Sequence, residues 1–245
     1  MFKRTITVLL LVFVCSCVSF AAGGAKPYKK DTKPASKAAK KVSRVGEKIV
    51  YEVRLGKVNV GQAMFTHVDK TKFKGRDVNV YTFETKLPRF YDLEKIYSDA
   101  VNFLPLRVER QVSGLSSPET ITEEYDQEKG TLTIKKRKGK KQVEMFIKKN
   151  NVINNAILLP HYVRDAANLK VGYNLIVRLP KQEFIVELVS KEQVCVPAGK
   201  FIAYHFVSSP KKFEIWLSAD EHRVPLKIKG LSGLGYTLAM KEHNR

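Results

Sequence analysis

The chain has 245 residues, of which 44% are apolar, and a formal net charge of +20. That length and apolar content exclude a wholly disordered chain and allow one β-rich domain with a real core, or two small ones. Part of the charge is local, since residues 26–45 carry eight basic residues against Asp31 alone. Such a surplus favours solubility and attraction to anionic surfaces, although a solvated lysine-rich surface is the simplest interpretation.

The first 21 residues have the layout of a secretory signal peptide. A short basic start precedes the apolar run 6–14, which is too short to span a bilayer. Ser19-Phe20-Ala21 offers small residues at the positions that signal peptidase inspects, so cleavage after it yields a soluble protein. In a competing interpretation, residues 14–17 form a loose lipoprotein box and Cys17 becomes the lipidated N-terminus. Both interpretations predict export, to the periplasm or the outer envelope.

Residues 22–45 form the second segment, rich in Lys, Ala, Ser, Gly and Pro, with Tyr28 as its one aromatic residue. The segment has almost nothing to bury, which predicts a disordered basic linker. Two roles for it stay open. The linker either contacts anionic lipid headgroups or cell-wall polymers, or it is a spacer.

From residue 46 to the C-terminus the sequence predicts β-strands. β-branched and aromatic residues alternate at period two, and Gly, Lys and Asp interrupt them at the spacing of a meandering all-β domain. No internal repeat or linker divides 46–245, which predicts a single β-rich domain. The predicted strands cover residues 48–55, 62–68, 78–85, 96–103, 106–112, 119–126, 131–136, 143–148, 174–179, 183–195, 200–207, 212–218, 225–229 and 235–242.

One helix is predicted in this domain, over residues 155–169, with Asn154 or Asn155 as its cap. Pro160 predicts a first turn followed by a kink or restart. A lone helix beside a long sheet usually covers the open side of that sheet. The predicted fold class is therefore mainly β: a strongly curved antiparallel sheet, an open barrel or β-roll, with one principal helix packed on its concave side. Apolar residues three and four apart give that helix one apolar face: Leu159, Tyr162, Val163 and Ala166.

Several segments in order along the chain resemble one bacterial family. Gly46-Glu47 ahead of Tyr51, and Pro197-Ala198-Gly199 ahead of Phe201, are similar to motifs of the exported proteins named domain of unknown function 3108. The resemblance spans nearly all of 46–245 and implies an envelope protein with a wound antiparallel sheet. It carries no established active site, so no functional residue is transferred. Further similar segments are 60–63, 97–101 with 104–107, the helix (where the family usually begins with Asp and this chain has Asn154), and 215–220 with 223–226.

Catalytic and metal chemistry is not indicated by the sequence. Cys195, between Val194 and Val196, is predicted to be a buried thiol with no basic helix end to activate it. We therefore expect no enzyme, no cofactor and no metal site. The histidines lack the tight spacing of metal ligands: His67, His161, His205, His222 and His243.

A basic run at residues 135–141 is predicted at the tip of a hairpin. It lacks the interleaved aromatic residues on which nucleic-acid bases stack, so we expect no nucleic-acid partner. A solubilising loop is the simplest interpretation, and contact with an anionic surface is the alternative.

Two functions follow from the predicted fold. The first is a non-catalytic envelope protein that binds a hydrophobic or lipid-like ligand, such as an acyl chain, in a concave apolar pocket. The alternative is a structural or adaptor protein that contacts cell wall or an anionic membrane through its basic linker. The sequence leaves the oligomeric state open. The candidate pocket residues are Leu159, Tyr162, Val163, Ala166, Tyr51, Phe83, Tyr97, Trp216 and Tyr236.

Overall fold

In the residues that the computed structural model describes, fourteen strands lie in one antiparallel sheet. The described residues are 44–114, 117–166, 168–231 and 235–245. The predicted signal peptide and nearly all of the predicted linker lie outside them. The strands are β1 (Lys48–Leu55), β2 (Val58–Phe73), β3 (Arg76–Leu87), β4 (Phe90–Asp99), β5 (Pro105–Gly114), β6 (Glu119–Asp126), β7 (Thr131–Lys138), β8 (Lys141–Lys148), β9 (Asn174–Arg178), β10 (Glu183–Val196), β11 (Gly199–Ser209), β12 (Phe213–Ser218), β13 (Pro225–Gly230) and β14 (Tyr236–Asn244).

The first and last strands meet in the middle of the sheet, where Lys48 of β1 pairs with Asn244 of β14. From that pair the chain meanders outward to β8 on one side and to β9 on the other, in the order β8-β7-β6-β5-β4-β3-β2-β1-β14-β13-β12-β11-β10-β9. The two edge strands do not pair with each other, so the sheet is not closed. Register shifts, such as the one between Val53 and Arg54, mark bulges, which increase local twist. The predicted mainly-β fold with an open antiparallel sheet is confirmed.

Each predicted strand is present, but the fourth was placed too late in the chain. β4 ends at Asp99, whereas the alternation of apolar residues predicted a strand over 96–103. The Asp99 carboxylate accepts hydrogen bonds from the N–H groups of Val101 and Asn102 and so builds a turn there. Phe103 has a φ of 60° and packs into the core from this turn. A turn that buries one aromatic ring was mistaken for the end of a strand.

The helix is also shorter than predicted. α1 spans six residues, Leu159–Arg164, instead of 155–169. Before it, the N–H of Asn154 donates to the carbonyl of Arg178 at 2.7 Å, and the Asn154 side-chain oxygen accepts the Arg178 N–H at 2.8 Å. Asn154 thus binds the end of β9 and is not a helix cap. The chain at Asn154 therefore pairs with the edge of the sheet before the helix begins.

Two further contacts set the helix bounds. The side-chain oxygen of Asn155 accepts the N–H of Ile157 in a local turn, and Pro160 lies in the first helical turn. After the helix, the Arg223 guanidinium binds the carbonyls of Arg164 and Ala166. These carbonyls are satisfied by a side chain from the turn before β13, so the helix ends without a further turn.

α1 lies in the connection 149–173, which joins the two edge strands, and it packs between two hydrophobic clusters. Leu158, just before the helix, is fully buried in the first cluster, and Tyr162 packs against that cluster. Leu159 and Val163 belong to the second, with Phe206 and other residues of β9–β12. The helix therefore covers the concave side of the sheet, as predicted.

Cys195 is exposed, contrary to the expected buried thiol. Its neighbour Val194 is buried, and adjacent residues of a strand point to opposite faces. The apolar flanks of Cys195 therefore indicated the burial of Val194 and not of the thiol itself.

Candidate functional site

The structure separates the nine predicted pocket residues into several groups. Leu159 and Val163 lie in the second cluster. Tyr97 lies in a third cluster, where its ring stacks on Phe73 at 5.3 Å. Ala166 follows α1 and is half-buried. The remaining five lie in or against the first cluster: Tyr51, Phe83, Tyr162, Trp216 and Tyr236.

Tyr162 is held in place as a core residue. Its hydroxyl accepts the backbone N–H of Asn155 at 3.0 Å. Burial raises the pKa of Tyr162 to about 12, so the hydroxyl stays neutral. With Leu158, Leu159 and Val163 all buried beside it, side chains of the connection itself occupy the space directly beneath α1.

Trp216 has a similarly complete set of contacts. Its ring stacks on His205 at 4.2 Å, and the ammonium of Lys227 lies 4.6 Å from the ring centroid. The indole N–H donates to Glu192 at 2.8 Å. A buried indole with its polar group paired and both faces covered is a packing residue.

Tyr51 and Tyr236 also have structural contacts. The Tyr51 hydroxyl donates to the carbonyl of Pro225 at 3.0 Å, which ties β1 to the start of β13. The Tyr236 ring lies against Gly230, where a Cβ would meet the ring at 2.2 Å. Glycine is therefore required at position 230 by the close approach of this ring.

Beyond α1 the concave side of the sheet becomes progressively more exposed toward β8. One row of residues crosses it, in which each residue is the register partner of the next on the neighbouring strand, so all their side chains point to the same face. Phe65 at one end is buried, the middle of the row is half-buried, and Val143 on the edge strand is 52% exposed. The row contains Phe65, Phe83, Glu94, Arg110, Ile121, Lys136 and Val143. We call this row from Phe83 to Val143, with the adjacent inward residues Asp92, Glu123, Ile134 and Met145, the inner face.

A charged group lies in the middle of the inner face. Arg110 donates two hydrogen bonds to Asp92, one of them 2.8 Å long from Nε to Oδ1. The same Nε lies 3.5 Å from Oε1 of Glu94. Glu123 is adjacent and accepts a hydrogen bond from the hydroxyl of Tyr125. The Arg110 guanidinium is therefore the positive charge shared by the three carboxyl groups of Asp92, Glu94 and Glu123, which have little contact with water.

Burial raises the pKa of two of these carboxyl groups, and the single guanidinium does not offset it. Burial raises the pKa of Glu94 to about 7, although Arg110 acts in the opposite direction. Burial also raises the pKa of Glu123, against the hydrogen bond from Tyr125. Near neutral pH, Glu94 can therefore either accept or donate a hydrogen bond. The inner face combines such groups with exposed apolar side chains, an arrangement suited to an amphiphilic ligand.

A family model described as "Protein of unknown function (DUF3108)" matches residues 50–241. The chain belongs to the DUF3108 family. The resemblance inferred from the sequence motifs is thereby confirmed. No curated protein matches the chain.

Two solved structures are similar in shape to this DUF3108 protein. The first is a β-barrel-like protein of domain of unknown function DUF1849 from Brucella abortus, at 10% identity and a TM-score of 0.49, covering 83% of this chain and 99% of the other. The second is named as an exported protein with a YmcC-like fold, from Bacteroides fragilis, at 10% identity and a TM-score of 0.29, covering 82% and 96%. Likenesses of this strength carry no argument about function.

Sequence reasoning missed the charged group of the DUF3108 protein. Because β4 was placed at 96–103, Asp92 and Glu94 were left in a loop. The signal was present, since both are in phase with the buried Ile96 at period two. Arg110 was assigned to a strand, but no pattern in its own strand showed that it faces carboxyl groups on the neighbouring one.

In the described part of the DUF3108 chain, no group of three or more His, Cys, Asp or Glu residues is arranged to hold a metal ion. Across those same residues, no helix has the length and apolar character needed to cross a membrane.

Proposed function

We propose that this DUF3108 protein is a non-catalytic protein of the bacterial envelope that binds an amphiphilic, lipid-like ligand on its inner face. One observation carries the proposal. The concave face of β3–β8 keeps large apolar side chains partly exposed around a poorly solvated charged group. A face built only for stability would bury the large apolar side chains and pair the charged groups completely.

The apolar part of the ligand is expected to lie along the row toward the β8 edge. Ile121, Ile134 and Phe83 are half-buried there, and Val143 and Met145 are exposed on the same side. Covering apolar surface contributes about 25 cal/mol for each Å² removed from water. An acyl chain laid across these strands covers several of these side chains at once.

The polar part is expected at the charged group. Arg110 already holds Asp92 in a two-point pair, which leaves Glu94 and Glu123 as the groups with spare hydrogen-bonding capacity. Their carboxyl oxygens suit a head group with hydroxyl or amine donors. Such donors would replace the water that burial has removed from these carboxyl groups.

The place of action proposed here is the envelope. The support is the basic start, apolar run and small-residue cleavage site of residues 1–21. Cys17 remains the candidate for lipidation in the alternative processing. N-terminal sequencing of the mature protein separates the two, since it finds either Ala22 or a blocked Cys17.

Binding is tested with a fluorescent acyl-chain probe titrated into the purified protein. Replacing Ile121 by Glu adds a carboxylate to the inner face and is expected to lower probe affinity at least about tenfold, or 1.4 kcal/mol. Thr122→Glu is the matched control, because the next residue of the strand faces the opposite side and the probe should bind as in the wild type. Equal loss in both variants, or no uptake by the wild type, would favour the structural or adaptor function instead.

A further inference from the structure

The hairpin formed by β7 and β8, residues 131–148, has a charge far from that of an average surface. It carries seven lysines and arginines and a single carboxylate, Glu144. Arg137, Lys140 and Lys141 flank the turn at Gly139 and are exposed. We call residues 131–148 the basic hairpin. Its charge is concentrated at one end of the sheet, next to the open edge.

The same hairpin exposes large apolar side chains. On β8, Phe146 is 66% exposed and Val143 is 52% exposed. They point to opposite faces of the strand, because they are an odd number of residues apart. Lys141 and Lys148 bracket them at the two ends of the strand. Apolar side chains surrounded by basic ones are the composition of surfaces that lie at the membrane interface.

We propose that the basic hairpin docks the protein on an anionic lipid surface, with the hairpin lysines and arginines among the headgroups and Phe146 and Val143 at headgroup depth. This inference concerns a surface outside the proposed ligand contacts at Glu94 and Arg110, and it holds whether or not a ligand binds there. Val143 belongs to both the inner face and the basic hairpin. The edge of the inner face at β8 would therefore lie next to the lipid.

Charge selects this partner over a second copy of the chain. Pairing two β8 edges would bring two hairpins together, each with six excess positive charges, and like charges oppose that contact. A polyanionic polymer would satisfy the lysines but leave Phe146 in water. Deep insertion is also disfavoured, because the free backbone groups of an edge strand have no partner in hydrocarbon. A lipid surface contacted at headgroup level neutralises the lysines, covers Phe146 and leaves the backbone groups of the edge strand hydrated.

The test is co-sedimentation with vesicles that contain phosphatidylglycerol, compared with vesicles of phosphatidylcholine alone, at low and high salt. Wild-type protein is expected to bind the anionic vesicles and to be released by salt. The triple variant Arg137→Gln, Lys140→Gln, Lys141→Gln should bind about 100-fold more weakly, from roughly fivefold for each charge near an anionic surface. Segment 26–45 is the same in every variant, so the difference reports the hairpin.

The matched control removes the same number of charges from exposed positions outside the basic hairpin, as Lys57→Gln, Lys200→Gln, Lys212→Gln. This variant should bind nearly as well as the wild type. Equal weakening in both triple variants would mean that only net charge matters and would overturn the proposal. Equal binding to neutral vesicles, or no vesicle binding at all, would also overturn it.

Phe146→Ser tests the apolar part separately. This exposed residue contributes little to the core, so the variant should fold and should lose about fivefold in vesicle binding, including the part that resists salt. The hairpin triple variant should still take up the acyl probe, which distinguishes a failure of docking from a failure of ligand binding. If the wild type instead dimerises in solution through β8 and does not bind vesicles, the partner of the basic hairpin is a second copy of the chain, and the proposal is overturned.

Discussion

Arg164 of α1 and Glu47, 117 residues earlier, form a fully buried ion pair. Their two hydrogen bonds are 2.6 Å and 2.7 Å long, and the two side chains are 0% and 1% exposed. Arg164 also donates to the carbonyl of His222, and His243 lies 3.0 Å from Glu47. The pair joins the connection between the sheet edges to the turn that opens β1. It therefore fixes where the helix lies on the sheet.

We predict that Arg164→Met destabilises the protein by about 3–5 kcal/mol, because Glu47 is left charged and buried without its partner. The double variant Glu47→Leu, Arg164→Met should regain much of that loss. Free energies of unfolding from urea titration measure both. Arg178→Met is the control, since Arg178 and Glu183 form a partly exposed pair worth about 0–1 kcal/mol. A single variant no worse than this control would mean that the buried pair does not fix the helix.

Acid should destabilise the fold in two stages, the first through His67. Burial, and after it the charge of Lys70, lower the pKa of His67 from 6.5 to about 4, although Glu47 and hydrogen bonds with Asn79 and Arg44 oppose this. The unfolded chain therefore takes up this proton at higher pH than the folded chain does. Stability held at pH 7 is lost as the pH falls from 6.5 to 4, up to about 3 kcal/mol.

The second stage comes from Glu47. Burial alone would raise its pKa, but the hydrogen bonds and charge of Arg164 outweigh burial and lower the pKa to about 2. Stability is then lost as the pH falls from 4.5 to 2. His67→Gln should flatten the first stage and leave the second. His222→Gln is the control, and a first stage unchanged in His67→Gln would assign it to another group, such as His161.

Glu94 should act in the opposite direction over part of the same range. Burial raises its pKa to about 7, so the folded protein prefers the neutral acid. The associated stability is present below pH 4.5 and is lost as the pH rises through 7. Glu94→Gln should therefore become more stable relative to the wild type between pH 5 and pH 8.

The control for this prediction is Glu109→Gln on β5, a partly exposed carboxylate whose variant should show no such trend. Carbon-13 NMR of the labelled Glu94 carboxyl provides the direct measurement, with a midpoint expected near pH 7. A midpoint near the ordinary glutamate value would show that the inner face is well hydrated there. The head-group contact proposed at Glu94 would then lose its physical basis.

Asn154 should be important for the path between the sheet edges. It is buried and makes two hydrogen bonds with the backbone of Arg178 at the end of β9. Asn154→Ala leaves the partly buried Arg178 N–H without its partner, at an expected cost of about 1–3 kcal/mol in unfolding free energy. Asn174→Ala, at an exposed position on the same strand, should change stability by less than about 0.5 kcal/mol. Similar values for the two variants would show that the crossing does not depend on this side chain.

The sequence by itself determined the strands. Alternation at period two depends only on neighbours in the chain, which is why each predicted strand is found and why Ile96 and Val194 point inward. It also identified one helix with an apolar face that includes Leu159 and Val163. The lone misplaced strand followed from a turn in which Phe103 is buried without being in a strand.

The tertiary structure alone decided which strands became edges, how far the helix extends and which charged residues meet. Asn154 binds β9 before the helix, and Arg223, in the turn before β13, binds carbonyls at its end, so these two contacts limit the helix. Arg110 gathers carboxyl groups from the neighbouring strands β4 and β6. The hydrogen-bonded partners among these lie 18 to 59 residues apart in the chain, and their pairing depends on register and burial. Local periodicity carries no information about such distant partners. A strand has the same sequence pattern whether its carboxylate faces water or an arginine from another strand.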